Sequence, residues 1–384
     1  MNVATTIPLP APLGLLAELT HRCPLACPYC SNPLALEGRD SELSAAEWAR
    51  VFREAAGLGV LQLHLSGGEP GARRDLTEIT HAAHEAGLYT NLITSAIGFT
   101  RDRLAELRAA GLDHVQISIQ DTEPAASDRI AGYDGAHARK LAIARTVAEL
   151  GLALTINVVL HRANIARLRD LVGLAAALGA GRVELAHAQY YGWALRNRAA
   201  LMPTRAQVEA ATADLAAMRA RYAGTLAIDA VVPDYYARRP KPCMGGWGRR
   251  SLNVTPSGRV LPCHAAETIP GLRFWSVRDR NLAEIWTRSP AFQAFRGTDW
   301  MRAPCRSCER REIDFGGCRC QAMLIAGDAA EADPACALSP LHGRMLAMAE
   351  EAAGTDDVYV YRAPAPRAPA RALDGATAGE PPPP

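Results

Sequence analysis

Three cysteines lie close together near the start of the chain, in the string Cys23-Pro-Leu-Ala-Cys27-Pro-Tyr-Cys30, which we call the triplet. Thiolates at this spacing can bind three irons of a cubane iron–sulfur cluster, which takes four ligands when the protein coordinates it fully. The fourth iron is then left without a protein ligand. Because such an iron can bind and reduce a small molecule, the triplet predicts redox chemistry at an open cluster.

Two other uses of clustered cysteines compete with this interpretation. Structural zinc usually takes paired thiols with a second pair or with histidines, which the triplet matches less well. A disulfide framework is typical of small secreted chains, whereas this chain has 384 residues and an N-terminus without an export pattern. We therefore favour the cluster, and the spacing resembles that of radical S-adenosylmethionine (SAM) enzymes.

A glycine-rich motif, Leu65-Ser-Gly67-Gly68-Glu69-Pro70, closes the second predicted strand. Alone it is an ordinary turn. Adjacent glycines also let a backbone approach a ligand closely, and Glu69 and nearby carbonyls could accept hydrogen bonds from an ammonium group. Since SAM carries an α-amino group and a carboxylate that must chelate the open iron, we predict that Gly67, Gly68, Glu69 and Pro70 bind SAM.

Polar residues occur at the ends of further predicted strands. Ser95, Ser118, Gln120 and Asn157 are candidates to bind the ribose hydroxyls or the adenine of SAM, although ordinary polar strand ends are an equal alternative for each. Arg129 could pair bidentately with the SAM carboxylate, and an exposed helix arginine is the equal alternative there.

A second group of cysteines lies after residue 240, in sequence rich in Gly, Pro and Arg with little helix or strand periodicity. Such a segment cannot build a large core, so metal coordination would organise its fold. Zinc is the alternative, because a Cys-x-x-Cys pair is also a zinc knuckle. The group consists of Cys243, Cys263, Cys305, Cys308, Cys318, Cys320 and Cys336.

The number of ligands sharpens this choice. An open cluster takes three protein ligands and a fully bound cluster takes four, so three clusters require about eleven ligands, whereas the chain has 10 cysteines. A non-cysteine ligand is therefore needed, and Asp314 is the nearest candidate. A carboxylate is a harder ligand than a thiolate and would alter the potential of its cluster.

The elements that must position these residues alternate between apolar runs and amphipathic stretches across residues 14–188. Six near-continuous apolar strands separated by helices predict a parallel sheet. Because six units fall two short of a closed eight-fold barrel, we predict an α/β fold with a partial (β/α)6 TIM-like barrel, and a doubly wound sheet is the alternative. The predicted strands are Gly14–Leu19, Leu61–Ser66, Tyr89–Thr94, His114–Ile119, Ala153–Leu160 and Arg182–Ala188.

Helices are predicted between these strands. Ser44-Ala-Ala-Glu47 is a capping-box pattern that opens a helix running to about Gly57. Other predicted helices cover Asp75–Ala86, Arg101–Ala110, Ala136–Leu150 and Asn164–Leu178. In both candidate folds the ligand site lies at the carboxyl ends of the strands, where the triplet also falls.

Composition limits the classes of partner. The net charge of +2, from 42 basic and 40 acidic residues, gives no broad footprint for nucleic acid. No apolar run reaches membrane-spanning length, so we expect no membrane partner and a reducing cytoplasmic location. The stretch from about Arg362 to Pro384 is rich in Pro, Ala and Gly, and we predict that it is disordered and carries no chemistry.

Taken together, the triplet, the glycine-rich loop and the later cysteines resemble radical SAM enzymes that carry a SPASM auxiliary-cluster domain. In the SPASM pattern a Cys–gap–Cys pair precedes a CxxC-x5-C-x3-C run and a last cysteine. Asp314 stands at the third position of that run, and Cys320 is extra to the pattern. The resemblance implies two auxiliary clusters, one held by Cys243, Cys263, Cys318 and Cys320, the other by Cys305, Cys308, Asp314 and Cys336.

This resemblance divides the chain into five parts. The predicted parts are an N-terminal segment (1–13), the radical SAM (β/α)6 core (14–188), a bridging region (189–240), the SPASM iron–sulfur domain (241–350) and a disordered Pro/Ala-rich tail (351–384).

Longer strings, Thr20–Leu34 and Gln189–Pro203, resemble the PqqE family of pyrroloquinoline quinone (PQQ) biosynthesis. Membership implies a [4Fe–4S] cluster at the triplet that cleaves SAM to a 5′-deoxyadenosyl radical. It also implies a precursor peptide, PqqA, in which a glutamate γ-carbon is joined to a tyrosine ring carbon ortho to the hydroxyl. The peptide chaperone PqqD and an electron donor such as a flavodoxin are the other implied partners, and the auxiliary clusters are [4Fe–4S] or [2Fe–2S].

Two rival functions remain at this point. Another SPASM peptide modifier, such as a sulfatase-maturing enzyme, shares every cluster argument, and a zinc-stabilised scaffold without catalysis is the rival from a different class. We also predict that Tyr190, Tyr191, Trp193 and Arg196 line the path of the peptide, with a packed linker as the alternative.

Overall fold

A single sheet organises the molecule. The computed structural model describes residues 9–231, 233–353 and 358–362. The strands in these ranges are β1 Gly14–Thr20, β2 Gln62–Gly67, β3 Tyr89–Thr94, β4 His114–Ser118, β5 Ala153–Leu160, β6 Arg182–His187, β7 Ala227–Val231, β8 Ser251–Val254 and β9 Val260–Leu261. Their spatial order is β7-β6-β5-β4-β3-β2-β1-β8-β9. All neighbours pair in parallel except the antiparallel pair β8–β9.

All six predicted strands are confirmed, with ends that differ by at most one residue. The apolar residues of these strands are buried in the core of the protein. Leu15, Leu63 and Leu65, for example, have no exposed surface. Strands β7, β8 and β9 were not predicted, because each is short and offers few alternating apolar residues.

Helices follow the strands along the chain. Ser44 caps the first of them with the predicted capping box, in which its side chain accepts from the Glu47 amide and Glu47 accepts from the Ser44 amide. The helices are α1 Ala45–Leu58, α2 Leu76–Glu85, α3 Arg101–Ala109, α4 Pro124–Ala131, α5 Ala136–Glu149, α6 Leu168–Ala177, α7 Gly192–Arg196, α8 Arg198–Leu201, α9 Arg205–Arg221, α10 Leu282–Arg288, α11 Pro290–Gln293, α12 Arg311–Asp314, α13 Arg319–Ala326 and α14 His342–Ala353.

The cysteine-rich part of the chain joins the same sheet. Strand β8 pairs in parallel with β1, from Gly14 opposite Ser251 to Ala17 opposite Val254. Strand β7, inside the stretch 189–240, pairs with β6. The sheet therefore has β7 at one edge and the strands β8 and β9 of the cysteine-rich part at the other, with β1 to β6 between them. None of the described helices combines the length and the apolar character that crossing a membrane requires.

The predicted tail does not begin at residue 351. Helix α14 continues to Ala353, and the described residues 358–362 contact the core, with Tyr359, Tyr361 and Arg362 taking part in bonds or ring contacts. The prediction of disorder was wrong for these five residues because Val358-Tyr-Val-Tyr361 is β-branched and aromatic rather than Pro- and Ala-rich. Residues 363–384 lie outside the described part of the chain.

Candidate active site

One cavity gathers the triplet and most of the predicted SAM contacts. It has a volume of about 320 Å³ and opens at the carboxyl ends of strands β2 to β6. Side chains from five strands line it, so the sheet curves around it as a partial barrel would. Of the predicted residues, the cavity is lined by Cys23, Cys27, Cys30, Gly67, Gly68, Ser95, Ser118, Gln120 and Asn157.

The triplet lies in a loop fixed by backbone hydrogen bonds. The Cys30 amide donates to the Cys27 carbonyl at 3.1 Å, and the Ala26 amide donates to the Ala131 carbonyl at 2.9 Å. Burial raises the pKa of Cys23 to about 12 and that of Cys27 to about 11. Thiols in such a place ionise only with compensating positive charge, so they fit a group that binds them as thiolates.

Lys140 supplies part of that charge, and sequence reasoning missed it. It has no exposed surface, and its ammonium donates to the Ser118 carbonyl at 3.0 Å and to the Gln120 side chain. Burial lowers the pKa of Lys140 to about 8, while the nearby Cys27 and Cys23 raise it. The amide of Gln120 is thereby held at the cavity wall, and Lys140 is a buried cation next to the triplet.

The glycine-rich loop approaches backbone, not only open space. A Cβ on Gly68 would lie 2.4 Å from the Arg22 carbonyl oxygen, and one on Gly67, whose φ is +121°, would lie 2.3 Å from that of Thr20. These glycines therefore allow the loop after β2 to pack on the chain that enters the triplet. Both residues still line the cavity.

Glu69 lies beneath the cavity rather than in its wall. It is 1% exposed, and its carboxylate accepts hydrogen bonds from the Gly71 amide (3.0 Å), the Thr94 hydroxyl (2.7 Å), and the amide (2.8 Å) and hydroxyl of Ser95. Burial raises its pKa, opposed by these four bonds. The predicted direct contact between this carboxylate and an ammonium group is thus replaced by a positioning role, since the carboxylate holds Ser95 and the loop.

Arg129 and Pro70 are placed elsewhere than predicted. The Arg129 guanidinium lies over the ring of Tyr359, 4.9 Å from its centre, and the residue does not line the cavity. Pro70 is buried in the first turn that follows Glu69 and does not line the cavity either. Sequence reasoning could not see the Tyr359 partner, because 230 residues separate it from Arg129.

The later cysteines fall into two groups in space, and the ligand partition between two clusters stays a prediction. In the first group the thiols of Cys243, Cys263, Cys318 and Cys320 lie close enough to shift one another's pKa values. The neighbouring Cys320 lowers the pKa of Cys263 to about 7, which favours its thiolate. The Cys320 thiol itself donates to the Ala265 carbonyl at 3.3 Å. Buried apolar residues surround the group, including Trp247, Leu261 and Ile269.

The second group lines a separate small cavity. Cys305, Cys308, Cys336 and Asp314 share its wall. The Asp314 carboxylate also accepts from Arg310 Nε at 3.3 Å and from the Gly316 amide at 3.1 Å, so the side chain is oriented without a ligand. Within the described ranges, no three Cys, His, Asp or Glu groups converge closely enough to share a single metal ion.

Tyr191 and His264 lie between the triplet cavity and the first group of later cysteines. Tyr191 lines the cavity, its hydroxyl is hydrogen-bonded to His264 Nε2, and it packs in the apolar cluster that includes Cys263 and Cys318. Of the other residues predicted on the peptide path, Tyr190 packs on Tyr235, and Arg196 lies over the buried ring of Trp193. None of these three lines the cavity.

Comparison with known proteins agrees with this geometry. Residues 17–175 match the radical SAM superfamily model and residues 243–309 match that of an iron–sulfur cluster-binding domain, SPASM. A PqqA peptide cyclase of Methylocella silvestris is 64% identical over 91% of this chain and 95% of its own length. Another, of Methylobacterium nodulans, is 60% identical over 94% and 95%.

A solved structure shares the fold at low identity. Streptococcus suis SuiB bound to S-adenosylmethionine superimposes with a TM-score of 0.68 at 19% identity, over 82% of this chain and 74% of SuiB. The matched families and the curated relatives make the chain a radical SAM enzyme whose cofactors are iron–sulfur clusters and SAM. Identity of 60% and 64% to two PqqA peptide cyclases, over nearly the whole length, establishes that the chain belongs to the family of PqqA peptide cyclases, radical SAM enzymes with a SPASM domain.

Proposed function

We propose that this enzyme joins a glutamate γ-carbon to a tyrosine ring carbon in the precursor peptide PqqA, as a step of PQQ biosynthesis. The observation that supports this most is the single cavity that combines the triplet with polar strand ends on one side and Tyr191, next to the auxiliary thiols, on the other. The family relationship does not favour a sulfatase-maturing enzyme or a zinc scaffold.

The residues of the cavity have separate tasks in this proposal. Cys23, Cys27 and Cys30 hold a [4Fe–4S] cluster, and the backbone of Gly67 and Gly68 receives the amino group of SAM. Ser95, Ser118, Gln120 and Asn157 bind its ribose and adenine, because their donors and acceptors face the same space. Glu69 and Lys140 orient Ser95 and Gln120 from below.

The two later groups hold auxiliary clusters in this proposal, with Asp314 as the non-cysteine ligand. When bound, the clusters and SAM supply the reducing electron, the hydrogen-abstracting radical and an acceptor for the electron released when the ring regains aromaticity. The chain excludes water from these sites by burial, as Cys243, Cys320 and Cys336 show.

Substitution of Asp314 tests the ligand partition. We expect Asp314→Ala to lose one auxiliary cluster, roughly two to four irons per chain, because the small cavity would keep only three ligating side chains. Asp314→Cys should retain that iron, since a thiolate restores the usual ligand set. Iron and sulfide quantification after anaerobic reconstitution measures both variants.

The control for this prediction is Glu312→Ala, which removes a neighbouring exposed carboxylate. The ligand role of Asp314 would be refuted by an Asp314→Ala chain with the iron content of the Glu312→Ala chain.

Several partners belong to the same proposal. The cavity opening near Gln189 and Tyr191 gives the PqqA peptide an approach to the triplet. The solved complex of SuiB with its precursor peptide SuiA shows that this fold can accept such a ligand. We include PqqD as the peptide carrier and a flavodoxin as the electron donor in the cytoplasm.

The test of the proposed function is a reaction with defined components. Reconstituted chain, PqqA, PqqD, SAM and a reductant are incubated without oxygen, and the peptide is analysed by tandem mass spectrometry. We expect a peptide that has lost two hydrogens, with the crosslink between glutamate and tyrosine. A PqqA variant with alanine in place of that tyrosine is the control and should keep its mass.

The two possible failures have different meanings. Formation of 5′-deoxyadenosine with unaltered PqqA would refute the substrate but leave SAM cleavage standing. Product formation at the same rate without PqqD would refute the carrier alone.

A further inference from the structure

Five residues near the C-terminus, 358–362, cross over the triplet loop, and we call them the C-terminal strap. Their contacts begin at Asn197, whose side chain accepts from the Val360 amide at 2.6 Å and donates to the Val360 carbonyl at 2.9 Å. The side-chain nitrogen of Asn197, Nδ2, also donates to the carbonyl of Pro28, inside the triplet, at 3.0 Å. Asn197 therefore binds the strap and the triplet loop together.

Two tyrosines fix the strap on α4. The Tyr361 hydroxyl donates to the Arg129 carbonyl at 2.7 Å, and the Arg129 guanidinium lies over the ring of Tyr359. The Tyr361 ring packs on Gly132 at the end of this helix, 3.4 Å from where a Cβ would lie, which is an ordinary contact distance. Val358 and Val360 remain exposed, whereas Tyr359 packs against the buried residues Ile130, Ala194 and Leu201.

Arg362 ends the strap inside the protein. It is 9% exposed, and Nη2 donates to the Leu25 carbonyl at 2.6 Å and to the Cys23 carbonyl at 3.2 Å. Its guanidinium therefore spans two backbone carbonyls of the triplet loop. Nη1 is buried and has no hydrogen-bond partner among the described residues. A buried guanidinium with an unused donor is costly unless a negative group faces it.

We propose that the C-terminal strap closes the triplet loop and that Arg362 is its positioning residue, holding two loop carbonyls and offsetting the negative charge of a thiolate-bound cluster. Two buried cations thus lie near the triplet. Lys140 belongs to the core, where it donates to the Ser118 carbonyl, and Arg362 belongs to the strap, from which it donates to the Cys23 carbonyl. The inference rests on the proposed cluster at the triplet and not on the peptide chemistry.

Three full-length variants separate the two tasks of Arg362. Arg362→Ala removes bonds and charge, Arg362→Lys keeps the charge without the planar pair of donors, and Tyr361→Phe removes one strap bond and leaves Arg362 in place. Arg108→Ala is the matched control, since Arg108 is exposed on α3 and the substitution changes the net charge equally.

Two quantities are measured, the rate of iron release to a chelator and a reduction potential. Both refer to the cluster whose electron paramagnetic resonance signal changes when SAM is added, which we call the SAM-responsive cluster. We expect Arg362→Ala to release that iron at least about tenfold faster, because bonds from a charged donor are lost, and to lower the potential. Tyr361→Phe should release iron about threefold faster, the cost of one neutral hydrogen bond, with the potential unchanged. Compared with Arg362→Ala, the Arg362→Lys chain should have a potential close to that of the unsubstituted chain but should still release iron faster than that chain.

The inference would be overturned if Arg362→Ala and Arg108→Ala chains had equal release rates and equal potentials. Should Arg362→Ala fail to fold, as loss of auxiliary-cluster iron would show, equal release from Tyr361→Phe and Arg108→Ala chains would overturn it instead. If the unsubstituted chain bound no SAM-responsive cluster, the proposed function itself would fail, and the two failures are thereby distinguished.

Discussion

Glu69→Gln is expected to weaken SAM binding by about 100-fold, as much as Glu69→Ala, although it is nearly isosteric. Each carboxylate oxygen of Glu69 accepts from one backbone amide, of Gly71 on one side and of Ser95 on the other. A carboxamide must turn its NH2 group toward one of these N–H donors in either orientation. One unsatisfied buried donor costs about 1–3 kcal/mol, and about 3 kcal/mol corresponds to roughly 100-fold in affinity.

Equilibrium binding of SAM to the reconstituted enzyme measures this effect, and the yield of 5′-deoxyadenosine gives a second readout. Glu106→Ala, at an exposed position on α3, is the control and should bind SAM normally. If Glu69 instead contacted the SAM amino group directly, Glu69→Gln would keep a carbonyl acceptor there and bind clearly better than Glu69→Ala. That result would contradict the positioning role.

Lys140→Met is expected to lower the rate of SAM cleavage at least tenfold and the potential of the SAM-responsive cluster by on the order of 50–100 mV. The substitution removes a buried positive charge beside Cys27 and Cys23 and leaves the Ser118 carbonyl and the Gln120 side chain without their donor. Loss of that charge disfavours addition of an electron nearby. Potentiometric titration and single-turnover assays measure the two effects.

The chain offers a matched control, since it contains only one other lysine, Lys241. Lys241 forms an ion pair with Asp234 at 3.2 Å, so Lys241→Met removes the same charge away from the triplet. It should leave the SAM-responsive cluster unchanged. Equal potentials for the two methionine variants would show that the charge of Lys140 does not act on the triplet.

The sequence predicts the core well because its strands carry long apolar runs. β3 and β5 were predicted to the residue. β8 and β9 were missed because their buried residues, such as Leu252 and Val260, stand in short stretches among Gly, Pro and Arg that show no period. Their formation depends on β1, which lies more than 230 residues earlier in the chain.

The site divides in the same way. The triplet, Gly67, Gly68 and the polar strand ends could be predicted because spacing within one segment places them. Lys140 and Arg362 could not, because each reaches the site through the fold, and only the rarity of lysine in an arginine-rich chain marks Lys140. For Glu69 the position in the loop after β2 could be predicted, but its contacts depend on Thr94 and Ser95 of the next strand unit.

The pairing of β8 with β1 has a mechanical consequence for electron tunnelling. The triplet follows β1 and Cys263 follows β9, so one continuous ladder of backbone hydrogen bonds connects the supports of the triplet and of the proposed auxiliary cluster at Cys263. A hinge between them would have to break that ladder. The tunnelling distance should therefore stay constant during turnover, and a chimera that exchanged the cysteine-rich module would have to include the partner strand of β1.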